Sequence, residues 1–138
     1  MAFVWSNALS VGVPEIDGQH QELINRTNQM LAAMKEGRGR QEVERLLDFL
    51  GEYVVEHFAA EERRMEAAGF PGLNDQKKMH KAFVLDFGRM SSDLRKGDAT
   101  SEAVIQMHRR VSEWLRVHIG QKDQEFGQFL RARAQKAA

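Results

Sequence analysis

The sequence predicts an all-α protein, an up-down-up-down four-helix bundle. Apolar residues recur at alternating steps of three and four positions, which is the spacing of one helix face. Glycine and proline interrupt this pattern at only a few places. The connections between the resulting segments are short, so consecutive helices are expected to pack antiparallel.

The first two helices are long apolar stripes bounded by glycine and proline. The first covers about 17–36 and is ended by Gly37. The second covers about 40–68 and is stopped by Gly69 and Pro71. Their stripes consist of His20, Ile24, Thr27, Leu31 and Met34 in the first helix and of Val43, Leu47, Leu50, Val54, His57, Glu61 and Met65 in the second. Residues 1–16 form an N-terminal arm.

The third helix covers about 75–96, with Asn74 as a suitable N-cap, and the fourth covers about 101–119. Their stripes consist of Gln76, His80, Phe83, Phe87, Met90 and Leu94 in the third helix and of Val104, Val111, Leu115 and His118 in the fourth. Residues 120–138 form a C-terminal segment. The whole chain, 1–138, is predicted to be one domain.

Composition excludes several classes of function. The chain has no cysteine, which excludes disulfides, thiolate zinc sites, iron–sulfur clusters and cysteine nucleophiles. It has 20 basic and 20 acidic residues, so no overall field attracts nucleic acid or an acidic membrane. No apolar run is long enough to span a bilayer, and the start lacks the basic region of a signal peptide. We therefore expect a cytoplasmic, monomeric protein without nucleic-acid or membrane partners.

Four histidines interrupt the apolar stripes and are predicted to lie at one end of the bundle. His20 is near the start of the first helix and His57 is late in the second, whereas His80 begins the third and His118 ends the fourth. Unpaired ionisable groups are costly in a core, so we expect them to share a partner. Glu61 and Gln76 lie four residues from a histidine, and residues four apart differ by only about 40° around a helix.

Asp123 is the remaining candidate metal ligand. It follows His118 by five residues, a separation of about 140° on a straight helix, and Gly120 between them is a place for the helix to bend or end. Imidazole with carboxylate and no sulfur suits iron, manganese or zinc, and two carboxylates with histidines on both sides indicate a pair of ions. The alternative is a metal-free bundle. His108 is about 15 Å from His118 along the helix, so we expect it at the rim or surface.

These residues resemble the hemerythrin family, in particular the bacteriohemerythrins, over nearly the whole chain. The matching segments are Ile16-Asp17-Gly18-Gln19-His20, His57-Phe58-Ala59-Ala60-Glu61-Glu62, His80-Lys81-Ala82-Phe83 and His118-Ile119 followed by Asp123. The resemblance implies a non-haem, oxo- or hydroxo-bridged pair of iron ions that binds dioxygen or small anions. It implies that His20 and His57 hold the iron with an open position, that His80 and His118 hold the other, and that Glu61 and Asp123 bridge them. It places the oxygen pocket at Trp114, Leu115 and Ile119.

Gln76 stands where the family pattern has a third histidine for the second iron. A glutamine amide offers only its carbonyl oxygen, a weaker donor than imidazole for a transition metal. Gln76 either ligates through oxygen, hydrogen-bonds a water or hydroxide in that coordination position, or leaves one metal unbound; we favour the second. We expect a dioxygen carrier, store or sensor in which Gln76 alters one iron's coordination and the stability of bound dioxygen. The alternatives are a di-iron oxidase or peroxidase that uses the extra open position, and a regulatory domain.

Overall fold

The computed structural model describes residues 3–38, 40–97 and 101–137. In these ranges the chain is helical and contains no strand, which confirms the all-α prediction. The helices are α1 (Pro14–Lys35), α2 (Arg40–Ala68), α3 (Leu73–Lys96), α4 (Ser101–Val117) and α5 (Asp123–Ala137). A π-helical turn, His118–Lys122, joins α4 to α5, and a short 3-10 turn, Asn7–Leu9, lies in the N-terminal arm.

Four helices pack around a common core. α1 contacts α2 and α4, and α3 contacts the same two helices, so the four form a closed ring in the order of the sequence. Large apolar side chains fill the centre; Leu23, Met30, Leu47, Leu50 and Leu115 are all at most 2% exposed. Burial of each such side chain contributes about 1.5–3 kcal/mol to folding. The predicted four-helix bundle is confirmed.

Two helices begin earlier than the periodicity indicated. α1 starts at Pro14, because proline fits the first helical position, where a backbone N–H has no intrahelical partner. α3 starts at Leu73 after Gly72, so Asn74 lies inside the first turn and is not the N-cap. The fourth helix ends at Val117, two residues earlier than predicted, and the chain continues as the π-helical turn.

The N-terminal arm packs against both α1 and α5. Asp17 accepts hydrogen bonds from the Ser10 hydroxyl at 2.5 Å and the Val11 N–H at 2.9 Å. Val11 also lies against Gly127 of α5, where an added Cβ would be 3.0 Å from the Val11 carbonyl oxygen. A side chain at position 127 would therefore push the arm away. None of the described helices combines the length and the apolar character that crossing a bilayer requires.

Candidate metal centre

The bundle brings the four predicted histidines to one buried layer. His20, His57, His80 and His118 come from α1, α2, α3 and the π-helical turn, and none is more than 3% exposed. This meeting of two helix starts with two helix ends requires the antiparallel order that the sequence predicted. Two carboxylates, Glu61 and Asp123, lie among them at 0% and 1% exposure.

Asp123 reaches the layer by a route that the sequence did not indicate. We expected the helix to bend or end at Gly120, but the chain stays helical there. The Asp123 backbone N–H donates to the His118 carbonyl oxygen, which is the i to i+5 hydrogen bond of a π-helix. Residues five apart then stand on the same face, so Asp123 points at the histidines without a break in the helix.

Glu61 divides its two oxygens between two pairs of histidines. Oε2 lies 3.1 Å from His20 Nε2 and 3.3 Å from His57 Nε2. Oε1 lies 3.0 Å from His80 Nε2 and 3.9 Å from His118 Nε2. One carboxylate therefore faces two separate centres.

Asp123 also divides its two oxygens, in this case between one histidine of each pair. Its Oδ2 lies 3.2 Å from His20 Nε2, and its Oδ1 lies 3.2 Å from His118 Nε2. The His118 and His80 Nε2 atoms are themselves 3.1 Å apart. Two groups of ligand atoms result, one formed by Glu61, His80, His118 and Asp123 and the other by His20, His57 and Glu61.

These distances fit ligands that surround metal ions. Donors placed about 2.1 Å from an ion at right angles to one another are about 3.0 Å apart, and most of the separations here are 3.0–3.3 Å. Glu61 Oε1 and Asp123 Oδ2 are buried without a well-formed hydrogen bond. Buried carboxylate oxygens in that state are costly unless a cation compensates them. The residues present therefore fit a pair of transition-metal ions.

Electrostatics of the protein alone show the same need for positive charge. Burial opposes a charged imidazole, but hydrogen bonds to Asp123 and Glu61 outweigh it and raise the pKa of His20 and of His118 to about 9. Burial lowers the pKa of His57. Burial also opposes a charged Glu61, but hydrogen bonds from the surrounding histidines hold the pKa of its carboxyl well below the usual range. The carboxylates thus favour positive charge at the imidazole nitrogens beside them.

Two residues outside the predicted ligand set orient the imidazoles. The Gln19 side-chain oxygen lies 2.7 Å from His57 Nδ1, and Glu62 Oε2 lies 2.8 Å from His80 Nδ1. Each bond leaves Nε2 directed at the centre, which is the usual arrangement of a metal-binding histidine. Both residues occur in the motif segments but were given no role. Their adjacency to His20 and Glu61 in sequence was the available signal.

Replacing Glu62 with glutamine is expected to weaken iron binding. An anionic acceptor on His80 Nδ1 makes the opposite nitrogen a stronger donor, and losing such partners lowers metal affinity by about 10–100-fold. Competition for iron against a chelator measures the change. The control is Glu66→Gln, an exposed site on the same helix; equal affinity in both variants would contradict this role for Glu62.

Aromatic rings cover the His80–His118 side of the site. The Phe58 ring stacks on His80 with centroids 3.9 Å apart, and the Trp114 ring stacks on His118 at 4.4 Å. Of the predicted oxygen-pocket residues, Leu115 and Ile119 are buried in the core, whereas Trp114 is half-buried. These contacts limit the freedom of both imidazoles.

Gln76 lies inside the cluster. It is 2% exposed, and its Nε2 donates to Asp123 Oδ1 at 3.2 Å, the oxygen that faces His118. Its Oε1 is buried without a hydrogen-bond partner. The amide thus contacts the group that contains His80 and His118, as its position in the motif indicated.

His108 is buried, so the prediction that it lies at the rim or surface was wrong. It is 3% exposed, and its Nε2 lies 3.2 Å from Asn28 Oδ1 and 3.4 Å from Ser112 Oγ. The uncharged ring fits between α1 and α4 because these two residues satisfy its polar edge. It takes no part in the metal cluster.

Fold and site together define a class, the four-helix-bundle proteins that carry a dinuclear metal centre of histidines and carboxylates. Residues 11–130 match the family model described as the hemerythrin HHE cation binding domain. The chain belongs to the hemerythrin family, whose members bind dioxygen at a non-haem di-iron centre.

Named relatives extend over most of the chain. A bacteriohemerythrin of Stenotrophomonas maltophilia is 30% identical over 129 residues, covering 94% of this chain and 82% of the relative. A bacteriohemerythrin of Methylococcus capsulatus is 31% identical, covering 84% and 86%. A myohemerythrin of Riftia pachyptila is 32% identical, covering 85% of this chain and 84% of the relative. The family match over residues 11–130 includes every segment that contributes to the cluster.

Proposed function

We propose that this protein is a dioxygen carrier, store or sensor whose two irons are held by His20, His57, Glu61, His80, His118 and Asp123. The observation that carries the proposal is the division of each carboxylate between two histidine groups, since Glu61 and Asp123 each direct one oxygen at each group. Such carboxylates serve as bridges between two ions. The irons, when bound, supply the electrons that reversible dioxygen binding requires.

The residues around the two proposed iron positions have different roles. On the open side, His20 and His57 offer two nitrogens, which leaves room for a small ligand. In our proposal the oxygen pocket is lined by Leu115 and Ile119, which are buried apolar side chains, and by Trp114, whose ring stacks on His118 of the other pair. An apolar lining keeps water away and so slows the proton-assisted loss of reduced oxygen species.

Gln76 makes the iron position at His80 and His118 different from the family pattern. In our proposal, a water or hydroxide takes the coordination position of the family's third histidine, and the Gln76 amide hydrogen-bonds it. Two facts support this: the Gln76 Nε2–H is already engaged by Asp123, and its Oε1 is a buried acceptor without a partner. Gln76 then holds a water and does not itself bind iron.

The same observation favours a second candidate function. A labile position on the second iron would admit a further small molecule, and the protein would act as a di-iron oxidase or peroxidase. In that case Gln76 would serve the reaction by leaving the position exchangeable.

Exposure of the reduced protein to air tests these candidates. The iron-loaded protein is reduced without oxygen, mixed with air and followed by visible absorption. A carrier gives a band that persists and disappears again when oxygen is removed. Rapid loss of the band, accompanied by release of hydrogen peroxide into solution, would support the enzyme. An iron content that stays negligible after iron-replete expression would contradict both candidate functions.

The chain's monomeric state and cytoplasmic location also belong to this proposal. A dioxygen carrier of this size needs no second subunit to complete the cluster, because all the proposed ligands come from one chain. Sedimentation of the iron-loaded protein measures its mass in solution, and a dimer would contradict the monomer.

A further inference from the structure

A cavity of about 320 Å³ opens between α1 and α4, away from the metal cluster. Its floor is formed by His108 and Ser112, and Leu31 and Ile105 contribute apolar walls. His108 precedes His118 by ten residues, which is about 15 Å along a helix. A ligand in this cavity would therefore be separate from one at the irons.

A hydrogen bond from α1 holds the His108 ring in the floor of the cavity. Asn28 Nδ2 donates to the Phe3 carbonyl at 2.7 Å, which directs Asn28 Oδ1 at His108 Nε2. The imidazole therefore donates through Nε2 to Asn28 Oδ1. Burial lowers the pKa of His108, and the positive charge of Lys35 adds to this effect. A hydrocarbon group can lie on this floor without breaking the hydrogen bond between His108 and Asn28.

The mouth of the cavity is positive. Lys35 and Arg109 line it, and in the part of the chain that the structure describes neither forms an ion pair. Arg116 also lines the cavity, but Glu113 pairs with it at 2.9 Å. Glu113 lines the cavity as well, so the lining carries three cations and one carboxylate, and its net charge is positive.

We propose that this cavity is a binding site for a small organic anion, a carboxylate with a short hydrocarbon body. The carboxylate lies between Lys35 and Arg109, and the hydrocarbon lies on Leu31 and Ile105. The volume is at the lower end of the range for ligand pockets, about 300–1,000 Å³, so the body has only a few carbons. Attraction at the mouth supplies selectivity for the anion, and burial of the hydrocarbon supplies affinity.

Hexanoate is a suitable probe because it has both features. Calorimetric titration of the iron-loaded protein at low salt is expected to give a dissociation constant below about 1 mM, within the range open to a ligand of this size. The double variant Lys35→Gln/Arg109→Gln is expected to bind at least about fivefold more weakly, since both substitutions remove charge at the mouth. The matched control Arg131→Gln/Lys136→Gln removes two exposed charges from α5, which does not line the cavity, and should bind as the wild type does.

Two further measurements separate this site from others. Hexanamide, which has the same body without the charge, is expected to bind more weakly than hexanoate. The visible spectrum of the iron centre should not change during the titration, because the ligand does not reach the metals. Equal binding of hexanamide, equal binding by the double variant, or a spectral change that accounts for the hexanoate bound would overturn the proposal.

Discussion

Replacing Glu61 with glutamine is expected to remove most of the iron, to below about half of the wild-type content. The change keeps the shape of the side chain but removes the charge of a fully buried carboxylate that faces all four histidines. A neutral amide cannot bridge two ions, and its nitrogen would point at an imidazole nitrogen or at a metal. Iron is measured by elemental analysis after iron-replete expression.

The fold should survive this substitution, because the apolar core lies outside the cluster. Circular dichroism is expected to show wild-type helix content at low temperature. Glu66→Gln, at an exposed position on the same helix, should retain the full iron content. A Glu61→Gln variant that also bound the full complement of iron would remove Glu61 from the set of bridging ligands.

Replacing Gln76 with histidine is expected to lengthen the lifetime of the dioxygen-bound protein by about tenfold, the lower end of the effects seen when groups around metal ligands change. Position 76 is buried and contacts Asp123, so an imidazole there is placed to fill the coordination position and to exclude water. The measurement is the decay of the visible band after the reduced protein is mixed with air.

A matched control places a histidine on the same helix but outside the site. Lys78 is exposed, and Lys78→His adds an imidazole without access to the cluster. This variant should decay at the wild-type rate. If Gln76→His also decayed at that rate, the residue at position 76 would not determine dioxygen stability.

The helical bundle and the convergence of the four histidines could both be predicted from the sequence. Periodicity predicts which face of a helix is buried, and His20, His57, His80 and His118 all occur on such a face. Antiparallel order then fixes which helix ends meet. These are properties of pattern and connection length, so they do not depend on details of packing.

The route of Asp123 and the environment of His108 could not be predicted in the same way. The π-helical turn depends on a backbone hydrogen bond that no residue type specifies, and Gly120 suggested a break instead. His108 is buried because Asn28, far from it in sequence, supplies an acceptor. Partners contributed by another helix are not visible in a local pattern, which also explains why Glu62 and Gln19 received no role.

The hydrogen bond between the N-terminal arm and α5 joins residues that are synthesised at very different stages of translation. Gln124 lies beside Asp123, and its amide nitrogen donates to the carbonyl of Leu9, a residue 115 positions earlier. Closing so long a loop costs conformational entropy, so contacts of this kind slow folding. On the ribosome, Asp123 is synthesised after all of α1 to α4, so the proposed set of ligands is complete only once the chain has been made as far as residue 123.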